Sequence, residues 1–180
     1  MRMPEPEVSL RLAINLIDTG QTDTEVIVSL DGAHIKTGEK THFKLLEFMS
    51  DLGWTQVEQG PKWQTRYQRG SDRSTIRIHS QSGQGDVVAK LKNGRTFLAE
   101  SKRGPLLRSK SSEEYPLIRE ALGQLLTLES IDGNPILAVA VPHGERFVEL
   151  AARWRNAPLV KRAGILILTV GKNGQVSGWQ

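Results

Sequence analysis

The sequence predicts an α/β protein: a mixed central β-sheet flanked by helices, with an N-terminal β-hairpin extension. Three observations predict it. Two continuous apolar runs, PILAVAV (135–141) and AGILILTV (163–170), have the composition of strands buried on both faces. Segments with apolar residues at i, i+3, i+4 and i+7 stand between the strand-like ones. Strands and helices thus alternate along the chain, the order in which helices come to cover a sheet. At 180 residues the chain has the size of one domain, divided here into the extension (1–37) and an α/β core (38–180).

Each element follows from its pattern. Val8, Leu10, Leu12, Ile14 and Leu16 alternate with Arg11 and Asn15 on the other face, which predicts a strand. The polar turn TGQTDT then leads to a second strand, EVIVSLDGAHI (25–35), and the two make the hairpin. From Thr41 the period lengthens: Phe43, Leu45, Leu46, Met49 and Leu52 predict a helix that Gly53 stops. Strands are predicted around Trp63 to Arg69 and over STIRIHS (74–80), followed by a β-hairpin spanning 85–104. Ile118, Ala121, Leu122, Leu125 and Leu126 predict the next helix, with Pro116 in its first turn. After the strand at 135–141 come an amphipathic helix, ERFVELAARWRN (145–156), the strand at 163–170, the turn GKNG and a short last strand.

Composition narrows the function classes. No run approaches the roughly 18 apolar residues of a membrane helix, and MRMPEPEVSL lacks the apolar stretch of a signal peptide, so a cytoplasmic location and no membrane partner are expected. The chain has no Cys, which excludes disulfides and thiol catalysis. Charge is uneven: residues 1–60 hold 5 Lys/Arg against 10 Asp/Glu, residues 61–110 hold 12 against 3, and residues 111–180 hold 7 of each. A basic middle third is the footprint of a surface that meets phosphates. The four His have no zinc-site spacing and read as surface or turn residues, and no Gly-rich phosphate loop is present.

Against that basic background, GDVVAKLKNGRTFLAESKRG (85–104) places Asp86, Glu100 and Lys102 on otherwise apolar strands. Such charges need a partner. Glu100 and Lys102, two apart, share a face. The side taken by Asp86 depends on the turn. A two-residue Asn93-Gly94 turn sets Asp86 against Ser101, on the opposite side from Glu100; a three-residue Lys92-Asn93-Gly94 loop, with Gly94 left-handed, sets it against Glu100. The second register is preferred; the other face then holds Val87, Ala89, Leu91, Phe97 and Ala99, which is core material. Facing carboxylates repel unless a cation lies between them. Asp86, Glu100 and the Ser101 carbonyl are hard oxygen donors of the kind that Mg²⁺ accepts, with Mn²⁺ as a substitute. Lys102 beside them is placed to orient a nucleophile or neutralise developing charge.

Asp86 followed after a short turn by Glu100-Ser101-Lys102 resembles the Asp…(Asp/Glu)-x-Lys signature of the restriction-endonuclease-like, PD-(D/E)xK, nuclease superfamily, with Gly85 where the family name has Pro. The resemblance spans roughly residues 38–170 and extends to element order. It implies a core of αβββαβ order, Asp86 and Glu100 as metal ligands and Lys102 as the catalytic lysine. It also implies a further acid from the first helix, for which Glu39 and Glu47 are the candidates and Glu47 is preferred. From the helix after the motif, Gln124 or Arg119 would support the site, with Gln124 preferred. Arg66, Arg69, Arg73, Arg77, Arg103, Arg108 and Lys110 are the candidate phosphate contacts.

The expected function is therefore a Mg²⁺-dependent deoxyribonuclease, endonucleolytic rather than exonucleolytic, with DNA as partner. The alternative is a non-catalytic nucleic-acid-binding or assembly module that keeps a nuclease-like fold and acts through a protein partner. A third reading is a structural domain in which Glu100 pairs with Lys102. Two roles are open to the N-terminal hairpin, homodimerisation and protection of a sheet edge.

Overall fold

The computed structural model describes residues 1–58, 60–70, 73–81, 85–108, 112–128, 131 and 133–179. The first third holds β1 (Arg2–Met3), α1 (Glu5–Asp18), β2 (Val26–Ser29), α2 (Gly32–Ile35), β3 (Lys36–Thr37), β4 (Lys40–Thr41), α3 (Leu45–Asp51) and β5 (Thr55–Gln56). The middle holds β6 (Arg66–Gln68), β7 (Thr75–His79), β8 (Val87–Lys90), β9 (Thr96–Ser101) and β10 (Gly104–Pro105). The last part holds α4 (Glu114–Leu126), β11 (Ile136–Pro142), α5 (Glu145–Arg155), α6 (Pro158–Ala163), β12 (Leu166–Val170) and β13 (Val176–Ser177).

Nine strands form one mixed sheet in the order β13-β12-β11-β9-β8-β2-β7-β6-β5. β9, β11 and β12 are parallel; β8 is antiparallel to both β9 and β2. The expected α/β class and helix-flanked mixed sheet are thus observed. One face packs on α1 and α3: Leu12 and Leu16 of α1 and Met49 of α3 share a core with Val28, Ile76, Val87, Phe97, Ala99 and Ala140. The other face carries α4 and α5, where Ile118, Ala121, Phe147 and Leu150 close on Val139, Val141 and Ile167. Strand alternation produces both layers, since successive residues of a buried strand supply opposite cores.

The N-terminal hairpin is not formed. Residues 5–18 are a helix, and the second expected strand, 25–35, shrinks to β2 in the middle of the main sheet and ends where Asp31 caps α2 by accepting from the Ala33 N–H. The helix lies across five strands of the sheet and is buried from Pro6 to Leu10 and again at Leu12, Ala13, Ile14 and Leu16. With apolar residues on nearly every side it shows no clean 3.6-residue stripe, and the even-numbered ones imitate a strand. Its start was nonetheless marked: Pro6 and the acids Glu5 and Glu7 occupy the first turn. The helix expected from Thr41 begins only at Leu45, because Lys36–Thr37 and Lys40–Thr41 pair as a small hairpin. The later elements lie close to their expected places, with α6 additional.

Candidate functional site

The hairpin of β8 and β9 has the three-residue loop. Leu91 donates to the Arg95 carbonyl at 2.9 Å, Gly94 takes φ +83°, and Val87 stands against Ala99 and Ala89 against Phe97. Continuing that register brings Asp86 to Glu100. There β8 leaves the ladder: the Asp86 N–H donates to the Ala99 carbonyl at 2.8 Å, and its carboxylate accepts the Ser101 N–H at 2.7 Å. Gly85 makes the departure possible with φ +121°, a conformation closed to proline, and a Cβ there would stand 3.2 Å from the Ala99 oxygen.

The C-terminal end of β9 therefore gathers charge. Glu100 is 8% exposed and Lys102 5%. Burial pushes the Asp86 carboxyl up to about 6 against the pull of the Ser101 N–H, with the charge of Glu5 adding and those of Lys102 and His34 opposing. Burial, then the negative charge of Asp86, pushes Glu100 up to about 7, with Lys102 opposing. The two acids are thus near neighbours that repel. Lys102 pairs with Glu120 of α4, its Nζ 3.1 Å from Oε1, and not with Glu100 as the third, structural reading would have it.

A cleft of about 340 Å³ opens beside this cluster, lined by Glu5, Asp31, His34, Asp86, Lys102, Arg103, Leu117, Glu120 and Gln124; Glu100 is not among its lining residues. Gln124 lines the cleft. Arg119 does not; its guanidinium stacks over Tyr115, 5.7 Å from the ring centre. Glu47 does not either. It is exposed, pairs with Lys44 at 2.9 Å and lines a separate groove with Phe43 and Trp63, because α3 lies in an excursion away from β8 and β9. Glu39 is exposed beside the β3–β4 hairpin. Glu120 of α4 aside, the helix acid that lines the cleft is Glu5, at the start of α1. Its side chain is 18% exposed and lies 3.4 Å from His34 Nδ1. Glu5, His34, Asp31 and Glu120 are the cleft residues that sequence reasoning missed. The signal for Glu5 was the helix start between Pro4 and Pro6.

Of the basic candidates among the described residues, only Arg103 lines the cleft. Arg66 and Arg77 stand side by side on β6 and β7 and share Glu25, at 2.6 and 3.1 Å. Arg69 pairs with Asp18 and lies over Trp54, and Arg108 pairs with Glu149. Arg73 is exposed at the start of β7, and Lys110 lies outside the described residues.

The donor set near β9 is all oxygen: the carboxylates of Asp86 and Glu100, with Glu5 across the cleft and the Ser101 main chain between Glu100 and Lys102. Among the described residues no group of three or more His, Asp or Glu side chains is placed to hold a metal ion. Two neighbouring, largely buried carboxylates fit a hard divalent cation in chemistry, since a cation would offset the burial that raises both and the nearby negative charge that adds to it. None of the helices among the described residues is long and apolar enough to cross a membrane. Comparison with family models, curated proteins and solved structures gives no match.

Proposed function

We propose that the protein is a divalent-metal-dependent nuclease that hydrolyses phosphodiester bonds in DNA. One observation carries this reading: two adjacent acids, Asp86 and Glu100, are held at raised pKa at the end of a strand whose next same-face residue is a buried lysine. A structural sheet gains nothing from that combination. The element path supports it. If residues 30–85 are set aside as an excursion between β2 and β8, the path α1-β2-β8-β9-α4-β11 has the order helix, three antiparallel strands, helix, parallel strand. That is the αβββαβ order of the PD-(D/E)xK nucleases, with α1 as its first helix and Glu5 as its acid.

In this reading Asp86 and Glu100 would hold Mg²⁺, with Glu5 adding negative charge beside them. Bound there, the ion supplies Lewis-acid polarisation of the phosphate and a more acidic water. The chain's own groups do the rest. The Ser101 N–H fixes the Asp86 carboxylate in place. Lys102, almost fully buried, presents an ammonium to the cleft, and this would neutralise charge that develops on the phosphoryl oxygens. Glu120 holds that ammonium from α4, and Gln124, one turn on, can donate a hydrogen bond into the cleft. Arg103 meets the strand's phosphates.

The test is cleavage of supercoiled plasmid and labelled oligonucleotides in Mg²⁺, Mn²⁺ or EDTA, for the wild type, Glu100→Ala and Lys102→Ala. Metal-dependent cleavage is expected, with each substitution lowering the rate by about 10²-fold or more. Cleavage that persists in EDTA, or that ignores both substitutions, rejects the mechanism; salt-sensitive binding without cleavage of any substrate identifies a binding module instead.

A further inference from the structure

A second cavity, about 210 Å³, adjoins the cleft and is walled by Pro4, Glu5, Pro6, Ala33, His34, His42 and Arg103. Glu5, His34 and Arg103 border both spaces. Its polar side chains are three nitrogen donors and one carboxylate. Arg103 is exposed and has no ion-pair partner among the described residues, unlike Arg66, Arg69, Arg77 and Arg108, each of which is tied to an acid. The one carboxylate, Glu5, is turned toward His34 Nδ1 at 3.4 Å, which leaves His34 Nε2 unengaged. The imidazole of His42 has no partner among the described residues.

The two histidines come from one stretch, DGAHIKTGEKTH (31–42), whose fold brings both to the cavity wall. Asp31 caps a single helical turn that carries His34. The β3–β4 hairpin then reverses the chain, and the His42 N–H donates back to the Ile35 carbonyl at 2.9 Å. Arg103 arrives from the opposite side, one residue after Lys102. An arginine fork and two imidazole nitrogens converging on a small cavity match the oxygens of a phosphate, which accepts from several donors at once.

We propose that this cavity is a phosphate subsite, in which Arg103, His42 and His34 grip a second phosphate of the strand whose neighbouring phosphodiester is cut at Asp86 and Glu100. The proposal rests on the nuclease reading for its substrate, but the subsite itself does not depend on catalysis. Its occupant is either an internal phosphodiester or a terminal phosphomonoester, and the shared chemistry is the phosphoryl oxygens.

Histidine ring proton resonances, followed by NMR in metal-free protein at fixed pH and ionic strength, test binding without reference to cleavage. Inorganic phosphate, with chloride as control, is expected to shift the His34 and His42 signals saturably at millimolar concentration, and Arg103→Ala is expected to weaken that binding about 10-fold or more. Arg103 is exposed, so the variant folds. Signals unmoved by phosphate up to about 20 mM, or moved equally in Arg103→Ala, overturn the subsite. A saturable shift in a protein that cleaves nothing keeps the subsite and removes the nuclease reading. In cleavage, Arg103→Ala and His42→Gln are expected to raise KM about 10-fold with kcat within about threefold. If that penalty appears only with 5′-phosphorylated oligonucleotides the occupant is a terminal phosphate, and if it is equal with 5′-hydroxyl oligonucleotides the occupant is internal. A fall in kcat with KM unchanged contradicts a strand-gripping role.

Discussion

Asp86 and Glu100 lose solvation as the chain folds, and this ties stability to pH. Their folded values, about 6 and about 7, lie above those of an unfolded chain, about 3.9 for Asp and 4.3 for Glu. Without metal, the folded state then binds more protons than the unfolded chain between roughly pH 4 and 7. The pair's favourable contribution is complete below about pH 4 and is lost as pH rises through 6 and 7. Urea titrations in EDTA are expected to show this loss, and Asp86→Asn is expected to recover roughly 1–3 kcal/mol at pH 8 while flattening the pH dependence. A wild type whose stability rises steadily from pH 4 to 8 would contradict the shifted pair. Divalent cations bind the ionised forms, so Mg²⁺ should raise Tm at pH 8 and have little effect at pH 5. A second residue-scale test separates two acids. Glu47→Ala removes only an exposed ion pair with Lys44, so stability should change by less than about 0.5 kcal/mol and Mg²⁺-dependent cleavage should be unchanged. Glu5→Gln should raise the Mg²⁺ concentration needed for half-maximal cleavage about 10-fold, and the reverse pattern in that assay would return the helix acid to α3.

At the scale of elements, α1 decides whether the site assembles. Its N-terminus carries Glu5, and its buried length rests on β2, β8, β9 and β11, the strands that hold Asp86 and Glu100 or neighbour them. Leu12 is fully buried near the middle of that contact. Leu12→Ala is expected to cost about 2–5 kcal/mol by chemical denaturation, because the hole cannot close against a central helix. A loss under 1 kcal/mol would mean that the segment is peripheral, as the hairpin reading had it. That reading failed for a physical reason. Val8, Leu10, Leu12, Ile14 and Leu16 alternate, yet Ala13 and Ser9 between them are also buried, so pattern alone carried too little contrast to separate a wrapped helix from a half-buried strand. The β8–β9 hairpin was legible because its information is local: Asn93-Gly94 restricts the loop, and only one register leaves Val87, Ala89, Phe97 and Ala99 together in the core. Glu5 was not legible, because its place in the cleft depends on the packing of a helix some 80 residues before Asp86.

On the scale of the whole molecule, the fold joins two charge groups that the sequence keeps apart. The first 60 residues are acidic and the next 50 basic, yet the fold brings Glu5 and His34 from the first group against Asp86, Lys102 and Arg103 from the second. Several of the basic residues that a linear reading assigned to phosphate are spent on acids from that first group, Arg66 and Arg77 on Glu25 and Arg69 on Asp18. Lys102 itself is held by Glu120, a partner that strand periodicity could not show because it lies on α4. The central claim is that Asp86 and Glu100 stay together as repelling acids because a divalent cation joins them. Anomalous diffraction from crystals soaked in Mn²⁺ at pH 8 tests it most directly. A Mn²⁺ peak within coordination distance of an oxygen of both carboxylates is predicted, and a map with no peak between them, or with Mn²⁺ bound only elsewhere, would contradict it.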